Sequence, residues 1–190
     1  MLEQPNKPTM KTITPPKPHI PKKTKAFVLG CDPTAFDKNG SRLEFDFVFD
    51  VGKDKRYFAG ILSNLNHLGL DLENVYVQNM VTDYLDKETS NNKKVWMQLA
   101  GESIVDRKKE FDRADPGGNW PVFLTSWLLY DALLNDDMPR KTAKELYESA
   151  EIISPEQNQL GRKLIPLFRH HEYKYQKWFD YGEKVKGFLK

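Results

Sequence analysis

The fold prediction for this chain starts from the segment Ala26-Phe27-Val28-Leu29-Gly30-Cys31-Asp32-Pro33. Its first five residues form a short apolar run, which is typical of a fully buried strand. Asp32 and Pro33 follow at once, and this pair predicts a loop. The stretch therefore indicates a buried strand whose carboxyl end carries an acidic side chain into a loop.

Similar apolar runs recur downstream, and segments with helical spacing separate them. The runs cover residues 75–77, 121–125 and 164–168. The helical segments cover residues 57–70, 96–111, 127–134, 142–150 and 175–188, with Gly69 as a stop signal in the first. This alternation predicts an α/β fold, a three-layer α/β/α sandwich around a central, mainly parallel four-stranded sheet.

An aromatic segment lies between the first run and the first helix. Phe45, Phe47 and Phe49 alternate with Asp46 and Val48. Alternation with a period of two places side chains on one face of a strand, so we expect a strand with three rings on one side.

Length and composition indicate one domain behind an arm. The chain has 190 residues, a length that suits a single domain. Residues 1–25 contain six prolines among Lys and Thr, and proline removes a backbone donor and fixes φ. We therefore expect residues 1–25 to form an extended, largely disordered arm and residues 26–190 to form the domain.

Cysteine content and hydropathy exclude several classes of protein. The single cysteine, Cys31, excludes an intrachain disulfide framework and a cluster held by several cysteines. No apolar run approaches the roughly 20 residues that a membrane span needs. We expect a soluble, cytoplasmic, monomeric protein with no membrane partner, no cofactor and no bound metal.

The net charge of +2 hides an uneven distribution. Residues 1–25 carry six Lys and one Glu, and residues 161–190 carry eight Lys or Arg against three Asp or Glu. The segment between them is net acidic. If a surface of this protein meets a polyanion, we expect the C-terminal segment to contribute to it.

Polar side chains follow three of the four predicted strands. Asp32 follows the first, Asn79 the second, and the pair His170 and His171 the last. Because parallel strands end along one edge of a sheet, where ligands bind, we expect an acid, an amide and an imidazole to share one crevice. For each residue alone, a helix cap, a turn or a surface position is the alternative interpretation.

Taken in order, these segments resemble the uracil-DNA glycosylase superfamily over about 165 residues. Leu29-Gly30-Cys31-Asp32-Pro33 resembles the water-activating G-Q-D-P loop, and residues 45–51 resemble the segment whose ring stacks on the target base. Residues 75–81 are similar to a V-Y-x-x-N-x-V strand, and residues 164–171 resemble the strand that enters the H-P-S loop. The resemblance implies a glycosylase that removes uracil or a related damaged base from single- or double-stranded DNA.

The resemblance also implies roles for particular side chains. Asp32 would orient the water, and His170 or His171 would stabilise the leaving base. Asn79 would read the edge of uracil, and Phe49, otherwise Phe47 or Phe45, would stack on the flipped base. The remaining implied base contacts are Gly30, Cys31, Pro33 and Thr34, and the implied DNA contacts are Arg169, Tyr173, Lys174 and Tyr175.

Two departures from the family pattern keep other functions open. Glu172 stands where the family has Pro-Ser, and Thr34 stands where uracil-specific members have Tyr. The first alternative is therefore an inactive member that binds nucleic acid or a nucleotide. The second is a metal-dependent hydrolase using His170, His171, Glu172 and Asp32, which we disfavour because adjacent residues on a strand point to opposite faces.

Overall fold

A computed structural model of the chain describes residues 13–53, 55–149, 151–175 and 177–189, except for the side chains of residues 55–57, 171 and 179. Within these residues lies a four-stranded, all-parallel sheet. Its strands are β1 (Ala26–Gly30), β2 (Val75–Asn79), β3 (Val122–Leu124) and β4 (Leu164–Pro166), in the order β2-β1-β3-β4. The predicted α/β class and four-stranded parallel sheet are confirmed.

Five α-helices accompany the sheet in the part of the chain that is described. They are α1 (Lys55–His67), α2 (Lys93–Ala114), α3 (Trp127–Leu133), α4 (Ala143–Glu148) and α5 (Phe179–Phe188). Gly69 has φ +73°, the left-handed conformation that ends a helix, so α1 stops where the sequence predicted. Among the described helices, none combines the length and the apolar character needed to cross a membrane.

The sheet is buried because its strands are largely apolar, although β2 ends in the buried polar residues Gln78 and Asn79. Every residue of β1 and β2 is buried, and the Phe27 ring stacks on Phe111 of α2 with centroids 4.1 Å apart. Arg162, which is 1% exposed, anchors the entry to β4, since its Nη1 donates to Asp115 Oδ2 at 2.7 Å. Its Nη2 donates to the carbonyl of Phe111 at 3.1 Å, which ties β4 to the end of α2.

Part of the N-terminal arm lies against the domain. The His19 backbone N–H donates to the Val77 carbonyl, and the Val77 N–H donates to the His19 carbonyl, both at 2.9 Å. Lys17 makes two further backbone bonds, with Asp46 and Val48. The expectation of a largely disordered arm therefore does not fit residues 17–19, because His19 satisfies free backbone groups of the edge strand β2 and Lys17 bonds to the loop at Asp46 and Val48. Residues 1–12 of the arm lie outside the described residues.

The strand predicted over residues 45–49 is absent, and that prediction is wrong. The structure shows only an isolated bridge between Lys17 and Phe47 in this stretch. Phe49 has φ +61°, and a left-handed residue interrupts extended backbone. The alternating rings therefore lie on a loop that packs beside the start of α1.

Candidate functional site

A cavity of about 330 Å³ opens at the carboxyl ends of the strands. The connection from β1 leads to β2 on one side, whereas β3 lies on the other side of β1, so the sheet order reverses between β1 and β3. Open α/β sheets bind their ligands at such a reversal, outside the strand ends. The cavity is lined there by Gly30, Cys31, Asp32, Thr34, Ala35, Phe49, Ile61, Glu88, Thr89, Ser90, Lys93, Thr125, Ser126, Trp127, Leu128 and Arg169.

Asp32 lines the cavity with its carboxylate fixed by two donors. The Thr34 backbone N–H donates to Oδ1 at 2.9 Å, and the Thr89 hydroxyl donates to Oδ2. Thr34 is held in turn, since its own hydroxyl accepts from the Leu85 N–H at 2.7 Å. The protein itself therefore holds the carboxylate in one orientation.

Cys31 lines the same cavity as a protonated thiol. The pKa of Cys31 is raised to about 12, chiefly by burial of the thiol and also by the neighbouring charge of Asp32. A hydrogen bond with Ser126 and the charge of Arg169 act in the opposite direction. Because the thiolate is the nucleophilic form, this cysteine is not activated for covalent chemistry at neutral pH.

Asn79 lies beneath the cavity rather than on its surface. It is 4% exposed, and a Cβ atom on residue 30 would collide with Asn79 Oδ1. The same Cβ would lie 3.4 Å from Phe49 Cε1. The missing side chain of Gly30 therefore lets the Asn79 amide and the Phe49 ring approach the end of β1 from the same side.

The three rings that the sequence placed together all line a smaller cavity, but only Phe49 also lines the main one. Phe49 lines the cavity and packs on Phe58, with centroids 4.7 Å apart. Phe45 and Phe47 line only the smaller cavity, together with Pro33, which is buried. Of the rings considered for stacking, Phe49 is thus the one that faces the main cavity.

The predicted imidazole is not part of the cavity lining. The His170 side chain is 56% exposed, its Nδ1 accepts from the Glu172 N–H at 3.4 Å, and the Glu172 carboxylate lies 3.8 Å away. The side chain of His171 lies outside the described part of the structure. The cavity therefore contains the predicted acid, Asp32, with the predicted amide, Asn79, just below it. The His170 imidazole lies outside it. A 3₁₀ turn at His171–Tyr173 carries the chain away from the strand end.

Arg169 supplies a cation at the cavity where the sequence predicted a histidine. It directly precedes His170, is exposed and lines the cavity. A Cβ atom on Gly60 of α1 would lie only 2.5 Å from the Arg169 carbonyl oxygen. The backbone of α1 and the loop after β4 are therefore in close contact. Lys93, at the start of α2, is a second positively charged residue that lines the cavity, and Glu88 is an acidic one.

The predicted DNA contacts divide between surface and core. Tyr173 and Lys174 are partly exposed, and Arg169 is exposed. Tyr175 is completely buried, and its hydroxyl donates to the carbonyl of Pro166. The prediction that Tyr175 contacts DNA is wrong, because this ring belongs to the aromatic core around Tyr147.

Sequence reasoning missed Thr89, Lys93 and Ser126 as residues of the cavity. Thr89 and Lys93 lie in a polar stretch between the predicted strand at residues 75–77 and the predicted helix at residues 96–111, and no local signal shows that this stretch folds over Asp32. Ser126 did carry a signal, because a serine between a strand and an apolar helix is a typical N-cap, and its side chain accepts from the Leu128 N–H.

Comparisons with known proteins do not assign a family. No protein-family model matches the chain, and no curated protein matches it. Among the described residues, no group of three or more His, Cys, Asp or Glu side chains is arranged to hold a metal ion.

Proposed function

We propose that the protein is a DNA glycosylase-like hydrolase that removes uracil or a related damaged base from DNA. The observation that carries this proposal is that the Asp32 carboxylate and the Phe49 ring line one cavity at the switch point of the sheet. The volume of about 330 Å³ falls in the range of about 300–1,000 Å³ that is usual for small-molecule sites. A flat base stacked on Phe49 would present its sugar to the carboxylate.

In the reaction, a water oxygen forms a bond to C1′ of the sugar, and the C1′–N bond breaks with its electron pair leaving on the base. Asp32 orients the water, accepts its proton and stabilises the positive charge on the sugar. The cation at the cavity, Arg169, stabilises the negative charge that develops on a carbonyl oxygen of the base. The leaving anion takes a proton from solvent.

The topology supports the finer description of the fold. Crossovers between parallel strands are right-handed in nearly all proteins. With the order β2-β1-β3-β4, that rule puts α1 on one face of the sheet and α2 on the other. On this basis we propose a three-layer α/β/α sandwich like that of the uracil-DNA glycosylase superfamily, formed by residues 26–190.

The decisive experiment measures base release from a labelled uracil-containing oligonucleotide, with alkaline cleavage of the abasic product. Asp32→Asn should lower the rate at least about a hundredfold, since the amide cannot accept the proton of water. Asp83→Asn is the matched control, because Asp83 is exposed and does not line the cavity, and it should keep the wild-type rate. Equal rates for wild type and Asp32→Asn would contradict the proposal.

One observation favours a second function, a nucleic-acid or nucleotide-binding module without catalysis. The His170 imidazole, which the family resemblance assigns to the leaving base, is exposed and outside the cavity lining. If the wild-type protein releases no base from DNA carrying any of several lesions, yet still binds single-stranded DNA, the binding function replaces the catalytic one.

A further inference from the structure

A second depression on the surface lies beside the loop that follows β4. It has a volume of about 440 Å³ and is lined by Lys144, Glu172, Tyr173, Lys177 and Trp178. We call these five residues the Tyr173–Trp178 groove. Neither Trp178 nor either lysine has a role in the proposed chemistry, so the groove requires a separate explanation.

The two rings of the groove are held in place by the protein itself. Their planes are 21° apart with centroids separated by 6.4 Å, and both rings pack on Tyr147, at 5.0 and 5.6 Å. The Trp178 indole donates to the Glu172 carbonyl at 2.9 Å, and the Tyr173 carbonyl accepts from Asn64 Nδ2 at 2.8 Å. Partly exposed, near-parallel rings that are already ordered can bind a flat ligand at a low entropic cost.

The charges around the groove favour an anionic ligand. Lys144 and Lys177 line it, Lys174 lies in the same loop, and Glu172 is the acid among the lining residues. Residues 161–190, which supply most of the groove, carry eight basic and three acidic side chains. Aromatic faces next to lysines are the combination that binds unpaired nucleotides, in which bases stack on the rings and phosphates meet the cations.

The groove lies close to the cavity along the chain. Arg169 lines the cavity, and Tyr173 lines the groove four residues later. Four residues span at most about 14 Å between α-carbons, and the 3₁₀ turn shortens that distance. This length corresponds to about four stacked nucleotides, at about 3.4 Å each.

We propose that the Tyr173–Trp178 groove binds unpaired nucleotides of single-stranded DNA, with bases stacked on Tyr173 and Trp178 and a phosphate at Lys177. The inference rests on the proposed function for its ligand, DNA, and adds the strand form and the place where the flanking nucleotides lie. It assigns to Trp178 and Lys177 a role that is independent of base release.

The test uses the full chain and a fluorescein-labelled oligonucleotide of about twelve thymidines, with affinity measured by anisotropy. Tyr173→Leu and Trp178→Leu should each weaken binding about five- to a hundredfold, the range that stacking gives. Trp178→Phe, which keeps a ring, should bind within about threefold of wild type. Phe188→Leu is the control, because Phe188 is 43% exposed on α5 and lies outside the groove.

A second variant tests the phosphate contact. Lys177→Gln should reduce the slope of log affinity against log salt by about 0.7, the value expected for one phosphate contact to a single strand. Lys109→Gln, at an exposed position of α2, should leave the slope unchanged. Thermal melting followed by circular dichroism identifies any leucine variant that is unfolded. The affinity of Trp178→Phe and the salt slope of Lys177→Gln then test the inference in its place.

Three results would overturn the inference. The first is that the ring variants bind as Phe188→Leu does, and the second is that Lys177→Gln keeps the wild-type slope. The third is that a blunt duplex or a poly-glutamate peptide binds as tightly as the oligonucleotide. Because an oligothymidine holds no uracil, failure here leaves Asp32-dependent base release untouched. Loss of base release would likewise leave the binding result intact.

Discussion

Gly30 is the residue at which packing and the candidate site meet. It ends β1, lines the cavity and leaves room for Asn79 Oδ1 and Phe49 Cε1. Asp32 follows two residues later, so the position of the carboxylate depends on this close approach. A side chain at residue 30 would displace the amide, the ring or the strand end.

Gly30→Ala should therefore destabilise the protein by about 1–3 kcal/mol, the usual cost of overpacking a filled site. Gly101→Ala is the matched control. Gly101 lies within α2 with open space around its Cβ position, so alanine should stabilise the helix by about 0.5–1 kcal/mol. Urea unfolding measures both changes, and a Gly30→Ala variant as stable as wild type would show that Asn79 can move away freely.

Arg169 and His170 are neighbours with different surroundings. Arg169 lines the cavity, whereas the His170 imidazole is exposed beside Glu172. For the proposed hydrolase, Arg169→Gln should lower base release about 10²- to 10³-fold, because it removes the positive charge facing the leaving base. His170→Gln should keep the rate within about threefold, and Arg169→Lys should recover part of it.

The measurement is the rate of base release under single-turnover conditions, with His171→Gln assayed in parallel. Loss of activity in His170→Gln with full activity in Arg169→Gln would return the leaving-group role to the histidine and contradict this assignment.

At the scale of elements, the contact between α1 and α5 contains a titratable group. His67, in the last turn of α1, has its Nε2 3.0 Å from the Cβ position of Gly182 in α5. Desolvation lowers the pKa of His67 below 6.5, Lys186 lowers it further, and Glu183 acts in the opposite direction. The folded protein therefore binds this proton less readily than the unfolded chain does.

The sign of the pH dependence follows from that difference. Below pH 6.5 the unfolded chain binds more protons, so the contribution of His67 to stability is fully present above pH 6.5 and is lost as the pH falls. Between pH 7.5 and 5.5, the melting temperature of wild type should fall by a few degrees more than that of His67→Phe. Equal falls would mean that His67 keeps its ordinary pKa.

The pH window separates this histidine from the carboxylates. Asp112 has a pKa lowered chiefly by its hydrogen bond with Lys108 and also by Arg162, and its contribution is lost only as the pH falls below about 4. Every other ionisable side chain is common to both proteins, so the difference between wild type and His67→Phe isolates His67.

At the scale of the whole molecule, the N-terminal segment closes the sheet edge formed by β2. His19 exchanges two backbone hydrogen bonds with Val77, and Lys17 makes two more with Asp46 and Val48. Pro16 is buried beside the aromatic loop, where it lines the small cavity next to Phe45 and Phe47. The segment thus connects two parts of the fold that are distant in sequence.

Deletion of residues 1–20 should lower the free energy of unfolding by about 1–3 kcal/mol, given about 0.5–1.5 kcal/mol for each of four bonds less the entropy of ordering the segment. Deletion of residues 1–12 is the control, because it keeps these bonds. Urea unfolding measures both, and light scattering follows self-association through the exposed edge. Identical stability of the two truncations would show that the segment adds nothing to the fold.

Local sequence determined the elements that depend on local interactions. The apolar run from Ala26 to Gly30 is short and ends at a loop signal, so it predicted a buried strand, and Gly69 ended α1 because glycine adopts a positive φ readily. The order of strands and helices then implied a parallel sheet with Asp32 at the edge where its strands end. Asn79 was predicted at the same edge, whereas the stacking role of Phe49, otherwise Phe47 or Phe45, came only from the family resemblance.

Only the tertiary structure decided which of these groups share a cavity. Thr89 reaches Asp32 across 57 residues, Phe49 turns toward the cavity through a left-handed backbone, and the turn after Arg169 leaves His170 outside. The physical reason is that such placements depend on contacts between segments distant in sequence, whose energies exceed local propensity. The sequence pattern of a strand reflects which of its residues are buried and how its side chains alternate. The path of a loop depends instead on the residues that it packs against.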